Sequence, residues 1–251
     1  MRDLQILFIV AAVLGTIPAE AAGETSASRL LSAPLRTTEG LISGVRGQAP
    51  GVAVFKGIPF GAPPSGALRW KAPQAVIPWD GVRAADKFGP ACIQPHQRER
   101  VPNNRAVDLP DSPPVSEDCL YLNVWTPASS AKARLPVMVW IFGGAYLEGA
   151  GSTAYNQGET LAPKGVVVVT FNYRLGSLGF LAHPLLTAES PQHSSGNYAL
   201  TDVLAVLQWC SAARGESKPG SGCGLYAPAY AAPSECRPPE RTRGDSGATI
   251  R

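Results

Sequence analysis

Two uninterrupted runs of apolar residues dominate the middle of the 251-residue chain. The first covers residues 137–141 (VMVWI) and the second covers residues 166–171 (VVVVTF). Short runs without polar alternation are typical of strands that are buried on both faces, and β-branched residues favour strands. Further along, apolar side chains recur at the spacing of one helical face, at Leu200, Val203, Leu204 and Leu207. This spacing predicts an amphipathic helix over about residues 199–210, and buried strands joined by helices predict an α/β sheet covered on both faces.

Shorter strands are predicted upstream of these runs. Residues 51–55 (GVAVF) are predicted to form one strand, with residues 41–45 (LISGV) as its hairpin partner. The segment 61–118 is rich in proline, so we expect it to order only where the surrounding fold or a disulfide holds it. A further strand is predicted at residues 120–125 (LYLNVW), which are followed closely by Pro127.

The first 21 residues have the pattern of a secretory signal. Arg2 precedes an apolar run from Leu4 to Leu14, and small residues stand at Ala19 and Ala21. This order of charged, apolar and small residues predicts cleavage after Ala21 and a secreted or periplasmic protein. No later apolar stretch is as long, so we expect no membrane span once the signal is removed. The net charge of +3 gives no electrostatic footprint for nucleic acid.

The composition changes after about residue 210. Residues 211–251 are rich in Gly, Pro and Ser, contain no valine, and have only Leu225 and Ile250 as aliphatic residues larger than alanine. Such a segment cannot bury enough apolar area to offset its ordering entropy. We expect it to be disordered, and its composition is typical of GC-rich codons read out of frame.

Several motifs together carry a resemblance to a known family. They are FKGIPFGAPP at 55–64, SEDCLYLNVWTP at 116–127, VMVWIFGGAY at 137–146, FNYRLG at 171–176, and SGNY at 195–198. The chain resembles the type-B carboxylesterase family, which includes the cholinesterases, over residues 22–210. The resemblance implies the N-terminal part of an α/β-hydrolase fold, a mixed sheet flanked by helices. It also implies hydrolysis of a small-molecule carboxylic ester by a Ser–His–acid triad, without a cofactor.

A glycine pair follows the first buried run. Glycines at this point let the backbone turn with its N–H groups exposed, and two such groups can hold the oxyanion of an acyl-transfer transition state. The resemblance assigns this role to the N–H groups of Gly144 and Ala145, with Gly143 shaping the turn. Phe142 stands where many relatives carry His or Tyr, so a polar group is lost there.

The resemblance also implies structural pairs outside the chemistry. It predicts one disulfide and two ion pairs: Cys92–Cys119, Arg69–Glu117 and Arg174–Asp202. We expect no defined disulfide among the remaining cysteines, Cys210, Cys223 and Cys236. No CxxC pair occurs, so a zinc site is not expected.

The residues for covalent catalysis are not identified in this sequence. The family's nucleophile lies in G-x-S-x-G between a buried strand and a helix, with the acid and the histidine further along. Ser217 and Ser246 only approximate that motif, and His96, His183 and His193 are interpreted as loop residues. We therefore expect the 251 residues to be inactive, truncated or frame-disrupted before the nucleophile. We also expect the strand at 137–141 to have an open apolar edge and the chain to be poorly soluble.

Two alternative interpretations were weighed. The chain could be a secreted, non-catalytic binding protein like the adhesion members of the same superfamily. Those members keep the whole hydrolase fold and lose only catalytic side chains, whereas here the pattern of the fold stops. A serine protease with a GDSG motif at 244–247 would need a β-barrel pattern, which is absent from the sequence.

Overall fold

The computed structural model describes residues 25–95, 98–101, 105–108, 114–213 and 223–226. Several features discussed above lie outside the described residues: the signal sequence at 1–21, His96, Ser217, Cys236 and Ser246.

Thirteen strands are present in the described ranges. In chain order they are β1 Leu35–Arg36, β2 Leu41–Ser43, β3 Val45–Arg46, β4 Ala53–Pro59, β5 Val82–Ala84, β6 Ala91–Cys92, β7 Arg98–Val101, β8 Arg105–Asp108, β9 Val115–Ser116, β10 Tyr121–Thr126, β11 Val137–Trp140, β12 Val167–Phe171 and β13 Cys223–Tyr226.

Four α-helices and three 3₁₀ helices accompany these strands. The α-helices are α1 Ser26–Leu30, α2 Gly176–Phe180, α3 Pro184–Glu189 and α4 Tyr198–Ala213, and the 3₁₀ helices are Gly66–Leu68, Ala154–Asn156 and Ala162–Lys164. Local chemistry explains where two of them begin. The Thr25 hydroxyl accepts from the Ser28 N–H at the start of α1. Pro184 opens α3, where the backbone N–H that it lacks would have no helical partner.

The main sheet has the strand order β13-β11-β12-β10-β4-β3. Strand β11 runs parallel to β12 and β13, while β10 runs antiparallel to both β12 and β4. Val139 pairs with Val169 across the parallel strands, and both side chains are buried. Both predicted strands are therefore present side by side inside a mixed sheet, but only β12 is buried along most of its length, while in β11 Val139 alone is fully buried.

The predicted hairpin at residues 41–55 is wrong in part. β3 does pair antiparallel with β4, but β2 leaves this sheet and pairs with β1 and β5. The division falls at Gly44, where a Cβ would collide with the Phe55 ring and the Val54 carbonyl. The chain passes so close to β4 at this glycine that the preceding residues turn away. The Leu41 carbonyl then accepts a hydrogen bond from the Trp79 indole at 2.9 Å.

Of residues 211–251, which we expect to be disordered, the structure describes residues 211–213 and 223–226. Helix α4 continues to Ala213, and β13 pairs parallel with β11 from Val137↔Cys223 to Trp140↔Tyr226. The expected open edge of the strand at 137–141 is therefore covered along these four residues. Pairing at a sheet edge uses backbone N–H and C=O groups, so a segment without valine can still supply it.

Helix α4 is present, but only part of the predicted face packs against the core, where Val203 and Leu207 are half-buried. Its buried residues are Tyr198, Ala199, Asp202, Val206, Cys210 and Ser211. Leu200 and Leu204 are 51% and 56% exposed. The rotation of the helix is fixed because Asp202 turns inward to pair with a buried arginine, described below. A polar residue on the buried face misled a prediction based on apolar spacing alone.

None of the helices in the described ranges combines the length and the apolar character that crossing a membrane would require. The largest fully buried side chains lie on the sheet or next to it: Trp125, Phe171, Ile58, Leu120, Leu122 and Leu175.

Candidate oxyanion site

The loop that follows β11 carries the predicted oxyanion residues. Phe142 is buried beneath it, while Gly143 and Ala145 are exposed and Gly144 is half-buried. Three consecutive residues have positive φ, which is 145° at Gly144, 53° at Ala145 and 62° at Tyr146. Two of these residues are not glycines, and such conformations persist only where the surroundings impose them. We call residues 143–148 the oxyanion loop.

The two glycines of the pair differ in whether the structure has room for a side chain at their position. A Cβ at Gly144 would collide with the carbonyl oxygen of Glu148, whereas a Cβ at Gly143 would meet nothing. The Gly144 carbonyl accepts hydrogen bonds from the N–H groups of Leu147 and Glu148, at 2.9 and 3.2 Å. The tight turn thus depends on the absence of a side chain at Gly144.

The N–H groups of Gly144 and Ala145 have no hydrogen-bond acceptor within the described ranges. Both follow a parallel strand inside the sheet, which fixes where the loop begins. Fixed and unoccupied donors of this kind can stabilise negative charge that develops on a carbonyl oxygen.

Phe142 and Tyr173 hold the base of the loop. Their rings stack at a centroid distance of 4.4 Å, and the Tyr173 hydroxyl donates to the Phe142 carbonyl at 2.7 Å. Burial, with a smaller contribution from Tyr146, raises the pKa of Tyr173 to about 12. The hydroxyl therefore remains a donor at neutral pH. Tyr173 lies within the FNYRLG motif, but the motif alone did not identify it as a residue of the site.

The predicted structural pairs are brought together. A disulfide joins Cys92 to Cys119, with the two Cα atoms 4.9 Å apart. Cys210 is buried on α4. Arg69 forms two hydrogen bonds with the Glu117 carboxylate, at 2.6 and 2.8 Å.

Arg174 and Asp202 form a fully buried pair. Their side chains are 3% and 0% exposed, and the closest N···O distance is 2.7 Å. Asp202 also accepts from the Arg174 backbone N–H at 3.0 Å. Burial raises the pKa of Asp202, and the hydrogen bonds and charge of Arg174 oppose that rise. The pair joins α4 to the segment that follows β12, so it is structural.

The histidines within the described ranges are exposed. His183 caps α3, where its Nδ1 accepts from the Leu185 N–H, and His193 has a φ of 50° in the loop that follows this helix. In the part of the chain that the structure describes, no three His, Cys, Asp or Glu side chains come together to hold a metal ion.

A sequence model described as "Carboxylesterase family" matches residues 31–213, more than half of the chain. The chain is 45% identical over 197 residues to a fumonisin B1 esterase of Sphingopyxis macrogoltabida, covering 78% of this chain and 34% of that protein. It is 41% identical over 208 residues to human carboxylesterase 3, covering 81% of this chain and 35% of that protein. The chain thus spans about a third of the length of these curated relatives.

Solved structures give the same result. A carboxylesterase from Geobacillus stearothermophilus superposes with a TM-score of 0.63 at 35% identity, covering 77% of this chain and 38% of that one. A PNB esterase superposes with the same TM-score, identity and coverage. The fold is therefore the α/β-hydrolase fold, over part of its length. By sequence and by structure, this chain belongs to the carboxylesterase family.

Proposed function

We propose that this chain supplies the oxyanion-binding part of a carboxylic ester hydrolase. The observation that carries the proposal is the pair of N–H groups at Gly144 and Ala145, which follow a parallel strand of the sheet and have no acceptor in the described ranges. The names of the relatives, a fumonisin B1 esterase and carboxylesterases, support the same reaction. The substrate class is a small-molecule carboxylic ester, and the chain is exported by the signal at residues 1–21.

The reaction would proceed by attack of a serine on the ester carbonyl. The carbonyl oxygen becomes negatively charged in the tetrahedral transition state, and the two loop N–H groups donate to it. The histidine takes the serine proton and gives it to the alcohol, which leaves as the ester C–O bond breaks and the acyl-enzyme forms. A water activated by the histidine then attacks the acyl-enzyme and releases the carboxylic acid and the free serine. This chain contributes the electrostatic part of that sequence.

The 251 residues alone are proposed to be inactive. A loop that stabilises an oxyanion cannot start acyl transfer without a positioned nucleophile and base. Hydrolysis of p-nitrophenyl acetate by the purified chain should equal that of buffer. Turnover that is abolished by Ser217→Ala or Ser246→Ala would overturn this part of the proposal.

The nucleotide sequence after the codon for Trp209 supplies a second test. If the frame is disrupted there, another frame should encode a valine-rich strand and a G-x-S-x-G motif. A protein expressed from that frame should hydrolyse the ester. Gly144→Ala keeps the backbone N–H, but its Cβ would collide with the Glu148 carbonyl oxygen and displace the loop. It should therefore lower kcat by up to about 10²–10³-fold, the effect of losing one oxyanion donor. Unchanged kcat in an active protein would contradict the role of the loop, and absence of the motif from all frames would contradict the frameshift.

A further inference from the structure

The Gln94 side chain binds Gly149, the residue that directly follows the oxyanion loop. Its Nε2 donates to the Gly149 carbonyl at 2.9 Å, and its Oε1 accepts from the Gly149 N–H at 2.8 Å. Both backbone groups of one residue are therefore bound by one amide. The same Nε2 also lies 3.1 Å from the Cys92 carbonyl, to which it donates.

Gly149 in turn contacts the residue that opens the loop. Its φ is 120°, and a Cβ there would collide with the Phe142 ring. The Phe142 ring thus stacks on Tyr173 and also lies close to the Gly149 backbone. The two ends of the loop are held together, one by Tyr173 and the other by Gln94.

A second amide reinforces the same connection. Asn172 donates to the Pro90 carbonyl at 2.8 Å and accepts from the Gly151 N–H at 2.9 Å. The segment around the disulfide is therefore bound twice to the segment that follows the oxyanion loop. Gln94 stands two residues after Cys92, which is buried and covalently joined to Cys119.

We propose that Gln94 is a positioning residue that couples the Cys92–Cys119 disulfide to the geometry of the oxyanion loop. The disulfide holds the backbone two residues before Gln94 in place. The Gln94 side chain in turn positions the Gly149 backbone, which packs on Phe142 just before the loop. The importance of this geometry for ester chemistry rests on the function proposed above. The coupling itself is a property of the folded chain and can be measured without turnover.

The test uses the full chain and its amide signals in ¹H–¹⁵N NMR spectra. In Gln94→Ala, the Gly149 amide should exchange with solvent roughly five- to tenfold faster, as expected for the loss of one hydrogen bond. The signals of Gly144 and Ala145 should move, while those of β10 and β12 stay in place. Gln157→Ala is the matched control, because Gln157 is a half-buried glutamine whose side chain donates one hydrogen bond, to the Ser152 carbonyl. It should leave the loop signals unchanged.

Gln94→Glu preserves size and keeps the acceptor for the Gly149 N–H. It places an oxygen without a hydrogen against the Gly149 carbonyl, so it should move the loop signals in a chain that is as well packed as the wild type. This variant decides the question if Gln94→Ala fails to fold. Unmoved loop signals in both variants would overturn the positioning role.

Reduction tests the coupling to the disulfide. Dithiothreitol passes two electrons and two protons to the disulfide, giving two thiols and its own cyclic disulfide. Reduction should move the Gly144 and Ala145 signals in the wild type and move them much less in Gln94→Ala, where only the connection through Asn172 remains. An equal effect of reduction in both proteins would overturn the coupling. Neither result depends on ester hydrolysis, so failure of the proposed function would be seen separately, in the kinetics.

Discussion

Replacing a carboxylate with the isosteric amide should have very different effects in the two ion pairs. In Asp202→Asn the guanidinium of Arg174, whose side chain is 3% exposed, keeps its charge but loses its counter-ion. An uncompensated buried charge costs about 3–5 kcal/mol of unfolding free energy. In Glu117→Gln the partner Arg69 is 37% exposed, and water takes over the role of the lost charge. We therefore expect Glu117→Gln to lower the unfolding free energy by only a small fraction of the loss in Asp202→Asn.

Urea denaturation followed by circular dichroism at neutral pH measures both changes. Equal losses in the two variants would refute the reasoning, because they would mean that burial does not decide the cost. Replacing Arg174 with Met and Asp202 with Leu together should recover most of the stability, since an apolar pair leaves no buried charge. If the double variant is as unstable as Asp202→Asn, shape rather than charge dominates the site.

The pH dependence of the exposed pair follows from Glu117. Its hydrogen bonds with Arg69 lower the pKa of Glu117 below its ordinary 4.5. A carboxyl with a lowered folded-state pKa stabilises the protein above the ordinary value and loses that contribution as the pH falls through the lowered one. The difference in stability between the wild type and Glu117→Gln should therefore be present at neutral pH and vanish in acid. A difference that grows below pH 4.5 would contradict this sign.

Three further outcomes are expected. Peptide mapping of the oxidised chain should find Cys92 joined to Cys119, and a bond from either cysteine to another partner would contradict the fold. Tyr173→Phe should lower the unfolding free energy by about 1–3 kcal/mol, because it leaves a buried carbonyl without its donor, and urea denaturation would show an unchanged midpoint if that bond were unimportant. Gly144→Ala should be destabilising by about 1–3 kcal/mol, while Gly143→Ala should stay within about 0.5 kcal/mol, and equal effects would contradict the loop geometry.

The central strands and the family could be predicted from the sequence because their signals are local. An apolar run such as residues 137–141 is enough to predict a strand within the sheet. The motif around Gly143 and Gly144 identifies the oxyanion loop without knowledge of the tertiary structure. The disulfide and the ion pairs could be predicted only through the resemblance, because the spacing of Cys92 and Cys119 does not by itself indicate that these two cysteines pair.

The features that could not be predicted depend on contacts between distant residues. The face that α4 buries is set by the inward turn of Asp202 toward Arg174, which apolar spacing does not encode. Strand β13 forms because β11 offers a row of backbone groups, not because its own residues favour strands. The hydrogen bonds between Gln94 and Gly149 join positions 55 residues apart, and neither residue lies in a motif that would predict this contact.

The pairing of β4 with β10 has a consequence for how the chain reaches its native state. Pro59 lies opposite Tyr121, so the whole proline-rich segment must be looped out before these two strands can meet. Contacts between residues so far apart in sequence slow folding, because the entropy of closing the loop is lost before the pairing repays it. The Cys92–Cys119 bond lies inside that loop, next to β10. Once formed, it bridges a sequence separation of 27 residues and so shortens the loop that must close before β4 and β10 can pair. An oxidising compartment would then hasten assembly of the sheet as well as lock it, and refolding should be slower with the thiols kept reduced.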